Sequence, residues 1–323
     1  MGFMNNPFIT IAITCFNAED TIERAIRSAL DQGYPDFEAL VVDDCSDDGS
    51  VQIVEGMCAK DDRLRLLHHQ NNTGPGGARA TLLREARGEI IAFFDDDDES
   101  TPDRLSVQSA RILSYEQEAG QKTIACYASG KRIYPNGYTL EIDAIGSRPD
   151  VPVGEAVADY LLFYGKHDGA FYGAGTPSCA LMARRDVLLS VGGFDPAFRR
   201  VEDADLAVRL ARAGCHFIGC PERLYIQYAT QAPDKSALRN YQAELSLLEK
   251  NRDYLEAKGR YTYARNWFLF RYFHFAGKKM KAVAVLIYGF IQNPVLVSRH
   301  LLETGPKRFL HERKMRAEAK LER

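Results

Sequence analysis

Residues 89–100, EIIAFFDDDDES, run an apolar stretch straight into four consecutive aspartates, Asp95–Asp98. The stretch is short, β-branched and aromatic, which reads as a buried strand. Four carboxylates at its end repel one another, and desolvating them is costly unless a cation joins them. A solvated acidic turn is the plainer alternative, but such turns rarely close a fully apolar strand. Oxygen ligands suit Mn²⁺ or Mg²⁺, and such an ion completes its shell with substrate phosphates. The stretch therefore predicts a metal and diphosphate site at the carboxyl end of a central strand.

Working outward, ITIAIT (9–14), EALVVDD (38–44) and LRLLHH (64–69) read as three more strands. Between them, Ile22, Ala25, Ile26, Ala29 and Leu30 keep helical spacing, with Asn17 in the N-cap region. Residues 50–60 and 76–88 read as two further helices, the second closed by Gly88. Strand and helix thus alternate, which predicts a Rossmann-like α/β fold: a mixed, mostly parallel sheet with helices on both faces. Ligands of such sheets sit beyond the carboxyl ends of the strands, where this chain carries TCFN, DDCSDD and DDDD. Later segments are expected as a helix from Pro102 to Glu118, two strands within 123–142, a Gly-rich loop ending in a strand over 169–185, and helices over 201–214 and 236–258.

In VVDDCSDDGS (41–50), Asp43 or Asp44 can accept from a base N–H or a ribose hydroxyl. Asp44, the last residue before the chain turns, is preferred. Ser46, Asp47 or Asp48 can cap the helix that follows. Arg79 stands early in a helix after the loop NNTGPGG, and a helix N-terminus with an arginine is a ready anion site. Asp205 and Arg209 stand four apart and are expected to form a supporting ion pair.

The 323 residues are 46% hydrophobic and 26% charged, which excludes collagen-like, low-complexity and disulfide-scaffold classes. Seven scattered cysteines with no CxxC pair read as reduced cytosolic thiols, with neither a disulfide frame nor a zinc site. The start lacks a basic region and a cleavage site, so no signal peptide is expected. Charge is uneven: residues 1–258 hold 27 Lys and Arg against 40 Asp and Glu, whereas residues 259–323 hold 14 against 4. In that basic end, 266–302 interleaves aromatics with cations, and its apolar run AVAVLIYGFI (282–291) is too short to span a membrane. An interfacial helix pair on anionic lipid is expected, at the inner face of the cell membrane. The alternative is a helical cap packed on the domain or on a second subunit, as in a homo-oligomer. Nucleic acid is not an expected partner.

Four motifs in order resemble the family 2 inverting glycosyltransferases of GT-A fold, over about residues 8–228. They are ITCFNAEDTIERAIRSALDQGYPDFEALVVDD, NNTGPGGARATLLREARGEIIAFFDDDD, DDDDESTPDRL and VGGFDPAFRRVEDADLAVRLARAG. The resemblance implies transfer of a sugar from a nucleoside diphosphate sugar, UDP-linked by expectation, to a glycan or lipid-linked saccharide in cell-envelope polysaccharide synthesis. It implies that Phe16 lines the base pocket, that Asp44 or Asp43 binds the base, and that Arg79, Asp95 and Asp96 lie along the nucleotide. Asp95 and Asp97 match the DxD pair, with Asp97 the metal ligand; Asp203 matches the catalytic base, with Glu202 beside it near the acceptor. Thr176 and Ser178, in the loop before GGFD, are expected to line the acceptor pocket. The organisation expected is a nucleotide-sugar half (1–98), an acceptor half (99–230) and a basic helical extension (231–323).

Departures are local. Thr14 and Cys15 stand where the family has proline and threonine, Cys45 replaces a common glycine, and LYIQYATQAPDKSALRN (224–240) lacks the histidine often found after the ED helix. A dinucleotide dehydrogenase needs GxGxxG after the first strand, and CFNAED has no glycine. A sugar nucleotidyltransferase, or a non-catalytic membrane adaptor that kept the fold, remains as the rival reading.

Overall fold

The computed structural model describes residues 6–167, 169–229 and 236–318. In chain order the elements are β1 (Ile9–Cys15), α1 (Ile22–Leu30), β2 (Phe37–Asp43), α2 (Ser50–Cys58), β3 (Leu64–His68), α3 (Gly74–Glu85), β4 (Ile90–Phe94), β5 (Glu99–Ser100), α4 (Arg104–Ala119), β6 (Ile124–Ile133), β7 (Thr139–Ile142) and α5 (Glu155–Phe163). A 3-10 turn (Ser178–Ala180), β8 (Leu181–Arg184), α6 (Arg185–Ser190), α7 (Glu202–Arg212) and β9 (His216–Tyr228) follow. The helices α8 (Ala237–Lys250), α9 (Arg252–Ala257), α10 (Tyr261–Phe275), α11 (Lys279–Gln292) and α12 (Pro294–Glu318) close the described chain. The chain divides into two compact units. One holds residues 1–132, 140–158 and 166–228; the other holds 133–139, 159–165 and 229–323.

The first unit is the expected mixed α/β fold. Its sheet runs β3-β2-β1-β4-β8-β6-β9-β5, with β7 paired to β6. The pairs β2–β3, β1–β2 and β1–β4 are parallel, whereas β4–β8, β6–β8 and β5–β9 are antiparallel. Strand β2 is buried along its whole length, as central strands covered on both faces must be. Register decides what meets at the sheet's edge. Cys15 lies opposite Asp43 and Ile13 opposite Phe94, so β1, β2 and β4 release their chains along one edge. In the antiparallel pair, Ile90 faces Arg184 and Ala92 faces Met182, and the 3-10 turn that leads into β8 lies against β4.

A buried knot fixes the opposite end of the sheet. The Glu38 carboxylate accepts from Thr10 Oγ1 at 2.8 Å, Arg65 Nη1 at 2.7 Å and the Arg87 amide at 2.9 Å. Burial pushes its pKa up, but these donors more than offset that and hold it below the usual range. Gly88 donates its amide to Thr10 Oγ1, and a Cβ there would lie 2.4 Å from the Thr10 amide nitrogen.

Three local expectations are corrected. Asn17 is not a helix cap: it sits in the left-handed region (φ 48°), its Oδ1 accepts from the Asp47 amide, and α1 starts at Ile22. The helix over 236–258 is two helices, because the Asn251 side chain donates to the Leu247 carbonyl and its backbone leaves helical geometry (φ −113°, ψ 21°). The pair expected over 266–302 is three helices, α10, α11 and α12.

In the second unit, α10 lies against α8 and α11. The His300 ring is stacked between Trp267 and Tyr164, with centroids 3.5 and 4.0 Å away, and Nδ1 meets Tyr263 Oη at 2.9 Å. Outside this cluster, Met280, Val283, Ile287, Phe290, Ile291 and Val295 are exposed. Among the described residues no helix is long and apolar enough to cross a membrane.

Gly88→Ala is expected to cost about 1–3 kcal/mol, the scale of overpacking against fixed backbone. Gly56→Ala, on an exposed face of α2 with nothing within 4 Å of the new methyl, should gain about 0.5–1 kcal/mol. Denaturant titration of the two variants checks both signs.

Candidate active site

At the end of β2, Asp44 is a hub. Its Oδ1 accepts from the Thr73 amide, Thr73 Oγ1 and His69 Nδ1, each at 2.8 Å, and its Oδ2 accepts from the Gly74 amide at 2.7 Å. A charge-assisted hydrogen bond contributes about 1.5–3 kcal/mol, so Asp44 ties β2 to the start of α3. Its carboxylate is thereby occupied within the chain. Asp43 beside it accepts from the Ser46 amide through Oδ2, while its buried Oδ1 has no hydrogen-bond partner among the described residues. Of the two candidates for a base contact, Asp43 is the one with an oxygen to offer.

Asn17 and the Ser46–Ser50 loop interlock. Ser46 Oγ accepts from the Asn17 amide and Asp48 accepts from the amides of Glu19 and Ser50. The N-cap position of α2, Gly49, has no side-chain cap; Asp48 does that work from one residue earlier. Phe16, 48% exposed at the tip of β1, donates its amide to Asp96 Oδ2 at 3.0 Å. The side chain is thus a free aromatic face hung on the acidic run.

The four aspartates divide by environment. Asp96 is pushed up to about 8, first by burial and then by Asp97. Asp98 is pushed up to about 9 by burial and by Asp95 and Asp97. Asp98 takes the Tyr228 amide at 3.3 Å on Oδ1, and its buried Oδ2 has no hydrogen-bond partner among the described residues. The Asp97 carbonyl accepts from Arg24 Nη2 at 2.8 Å. Ligand atoms of Asp95, Asp98 and Cys179 lie within 4.8 Å of one another; this grouping does not contain Asp97.

Across the site stands the start of α7. Arg79, buried in α3, reaches Asp95 Oδ1 with Nη2 at 2.7 Å and Glu202 Oε1 with Nη1 at 2.5 Å. Burial opposes its charge, but Asp95 and Glu202 win and hold its pKa above the usual arginine value. This single guanidinium joins the acidic run to the ED pair, which the sequence separates by more than a hundred residues. Burial raises the pKa of both Glu202 and Asp203. Asp203 Oδ1 accepts from the Ala204 amide at 2.7 Å. Val201, entering α7, has φ 58°, a conformation that a β-branched residue adopts only under constraint. The close approach needs Gly76, where a Cβ would lie 2.5 Å from the Phe198 carbonyl oxygen. Asp205 pairs with Arg209 at 2.6 Å as expected, and Arg209 also holds the Val191 carbonyl. Thr176 and Ser178 are both buried, and Ser178 Oγ has no hydrogen-bond partner among the described residues.

Three residues escape the sequence reading. His69 bridges Asp44 and Thr81 Oγ1. Cys179, in the 3-10 turn before β8, has its sulfur within 4.8 Å of carboxylate oxygens of Asp95 and Asp98. Arg104 is fully buried and gives its donors to neutral acceptors: Gln108 Oε1, Ser100 Oγ and the Phe93 carbonyl. Burial pushes its pKa down to about 10. Its position in DDDDESTPDRL was visible, but nothing in the motif tells a buried arginine from a solvated one.

Residues 10–145 match the description "Glycosyl transferase family 2". Over that stretch the chain resembles the family 2 glycosyltransferases. It is 46% identical over 99 residues to the succinoglycan biosynthesis protein ExoO of Rhizobium meliloti, covering 31% of this chain and 28% of that one. It is 37% identical over 111 residues to the UDP-Glc:alpha-D-GlcNAc-diphosphoundecaprenol beta-1,3-glucosyltransferase WfgD of Escherichia coli, covering 34% of this chain and 43% of that one. Less than half the length of these relatives is shared. The crystal structure of S. aureus TarS 1-349 in complex with UDP-GlcNAc superposes with a TM-score of 0.58 at 18% identity, covering 88% of this chain and 80% of that one. The fold is of the GT-A type.

The acidic run makes a pH prediction. Asp96 is raised from 3.8 to about 8 in the folded chain. The folded state therefore holds a proton that the unfolded state has lost, and stability falls as pH rises through that window. With chelator present, the melting temperature should drop between pH 5 and about pH 8, and Asp96→Asn should make that slope shallower, leaving the share that Asp98 contributes. A wild-type slope of the opposite sign would contradict it.

Proposed function

We propose that this protein is an inverting glycosyltransferase. It would move a sugar from a nucleoside diphosphate sugar, a UDP-sugar first, to a glycan or lipid-linked saccharide acceptor in cell-envelope or surface polysaccharide synthesis. The observation that carries the reading is the Arg79 bridge from Asp95 to Glu202, because it joins the acidic run to the Glu202–Asp203 pair, the arrangement a diphosphate site facing a carboxylate base would need. The WfgD name gives a UDP-glucose donor and a diphosphoundecaprenol acceptor for that protein, and the TarS complex holds UDP-GlcNAc; both support the substrate class.

Phe16 offers its face to the base and Asp43 its unpartnered oxygen to a base or ribose donor. Arg79 lies along the diphosphate and neutralises Asp95 and Glu202. Asp203 takes the proton from the acceptor hydroxyl as that oxygen attacks the anomeric carbon; the bond from that carbon to the diphosphate oxygen breaks, and the diphosphate leaves with the electron pair. A base opposite the leaving group makes this a single displacement with inversion. Its raised pKa moves Asp203 toward the operating pH, where a general base is most effective. The donor set fits Mn²⁺ or Mg²⁺: Asp95, with Asp97 on the resemblance or Asp98 on the geometry, and a buried Asp98 oxygen without a partner. Such an ion, when bound, supplies Lewis-acid stabilisation of the leaving diphosphate.

The second unit supports a peripheral place on the inner face of the membrane. Residues 259–323 carry an excess of ten positive charges, and α11 and α12 expose Ile287, Ile291 and Val295. Apolar burial plus attraction to anionic lipid is how interfacial helices bind.

Asp203→Asn should bind UDP-sugar as the parent does and lose kcat by about 10²–10⁴-fold, the span of general-base catalysis. Unchanged turnover would remove Asp203 as the base. For the membrane, the protein should float with phosphatidylglycerol vesicles and not with phosphatidylcholine ones, and Ile291→Glu with Val295→Glu should abolish flotation. Equal flotation of parent and double variant would count against α11 and α12.

A further inference from the structure

Within the basic helical unit, α10, α11 and α12 line a narrow cavity. Asn266, Trp267, Phe270, Leu286, Gly289 and Val297 are among its walls. It holds about 220 Å³ of atom-free space, of which about 10 Å³ can take the centre of a water molecule. That is room for a single water, and a buried water needs about two to four polar partners. Here it would find one. Asn266 Nδ2 is buried and has no hydrogen-bond partner among the described residues. The other polar group of the wall, Tyr263 Oη, is already bonded to His300 Nδ1 at 2.9 Å. The remaining walls are aromatic and aliphatic. Cavities of that kind stay dry and take apolar ligands, while an orphaned buried donor is costly until an acceptor reaches it.

The cavity has a mouth. Trp267, Phe270, Val285 and Leu286 are only half-buried. Leu286 has Val283 and Phe290 three and four residues away, its neighbours on one side of α11, and both are exposed. The wall thus runs into the exposed apolar face of α11. At Gly289 a Cβ would meet only the Val297 side chain, at 3.8 Å.

We propose that this cavity holds one acyl chain of an anionic glycerophospholipid, with the chain's ester carbonyl accepting from Asn266 Nδ2. An acyl ester carries an acceptor oxygen at the head of a hydrocarbon chain, which is the pairing of groups that the cavity lacks. Charge complementarity selects an anionic headgroup, since residues 259–323 hold 14 Lys and Arg against 4 Asp and Glu. Entry of the chain widens the slot at its half-buried rim. The proposal rests on the membrane reading of this unit and adds to it a site that takes up a single lipid.

Trp267 is the only tryptophan of the chain, so its emission reports on the cavity wall. The full chain is mixed with phosphatidylglycerol vesicles, either plain or brominated along one acyl chain; bromine quenches an indole that it touches. The brominated vesicles should quench Trp267 and the plain ones should not. Gly289→Leu, whose side chain fills the cavity, should float as the parent does and lose most of the quenching. Asn266→Leu, which removes the orphaned donor, should melt higher than the parent without lipid and need more lipid for the same quenching. Flotation of the parent without quenching overturns the proposal whether or not a variant folds, as does quenching unchanged in Gly289→Leu. A second copy covering Trp267 would show as a dimer in sedimentation whose emission ignores brominated lipid, and this also overturns it. Absence of flotation sinks the membrane reading. The cavity is then probed with monomeric brominated lysophosphatidylglycerol, where quenching upholds the site and its absence overturns it.

Discussion

The site depends on one buried cation shared by two carboxylates. Arg79 comes from α3, Asp95 from the end of β4, and Glu202 from the start of α7. Without the guanidinium, Asp95, Glu202 and Asp203 would face one another with their charges uncompensated. Removing one partner from such a buried network costs about 3–5 kcal/mol, a large part of the 5–15 kcal/mol that holds an ordinary domain together. The neighbouring features serve this contact. Gly76 lets α3 approach the 195–198 turn, Asp44 anchors the first turn of α3, and the left-handed Val201 aims the ED pair inward.

The same arithmetic explains the site's back wall. Burying four adjacent aspartates is tolerable only if they are hydrogen-bonded, paired, or protonated. Asp96 takes the Phe16 amide and Asp98 the Tyr228 amide, Asp95 takes Arg79, and Arg104 adds charge from below. Asp96 and Asp98 nonetheless prefer their protons in the metal-free chain. Protonation of these two groups is how the folded chain tolerates four adjacent acids.

Much of this was legible in the sequence because the first unit obeys simple periodicities. Four apolar runs with helical segments between them place β1 to β4 to within a residue or two, and the parallel core of the sheet follows. The Asp205–Arg209 pair was readable from spacing alone. What was not legible depends on long-range register. Nothing local to PSCAL marks Cys179 as a neighbour of Asp95; the packing of the 3-10 turn against β4 does that. Likewise, adjacency made Asp44 the natural base ligand, but its contacts with Thr73, Gly74 and His69 leave the unpartnered oxygen on Asp43. The break at Asn251 was hidden because a single buried amide, not a glycine or proline, ends the helix.

The central claim is that the strand ends form a nucleoside diphosphate site. It is tested most directly by the melting temperature of the full chain with UDP, GDP, dTDP, ADP and CDP, each with and without Mn²⁺. A ligand that binds only the folded chain stabilises it by about 2.7 kcal/mol at a hundred times its Kd, which such a panel resolves. The account predicts that UDP raises the melting temperature, that it does so only with Mn²⁺, and that the other four do so less. A panel in which no nucleoside diphosphate shifts the transition, with or without the ion, would contradict it.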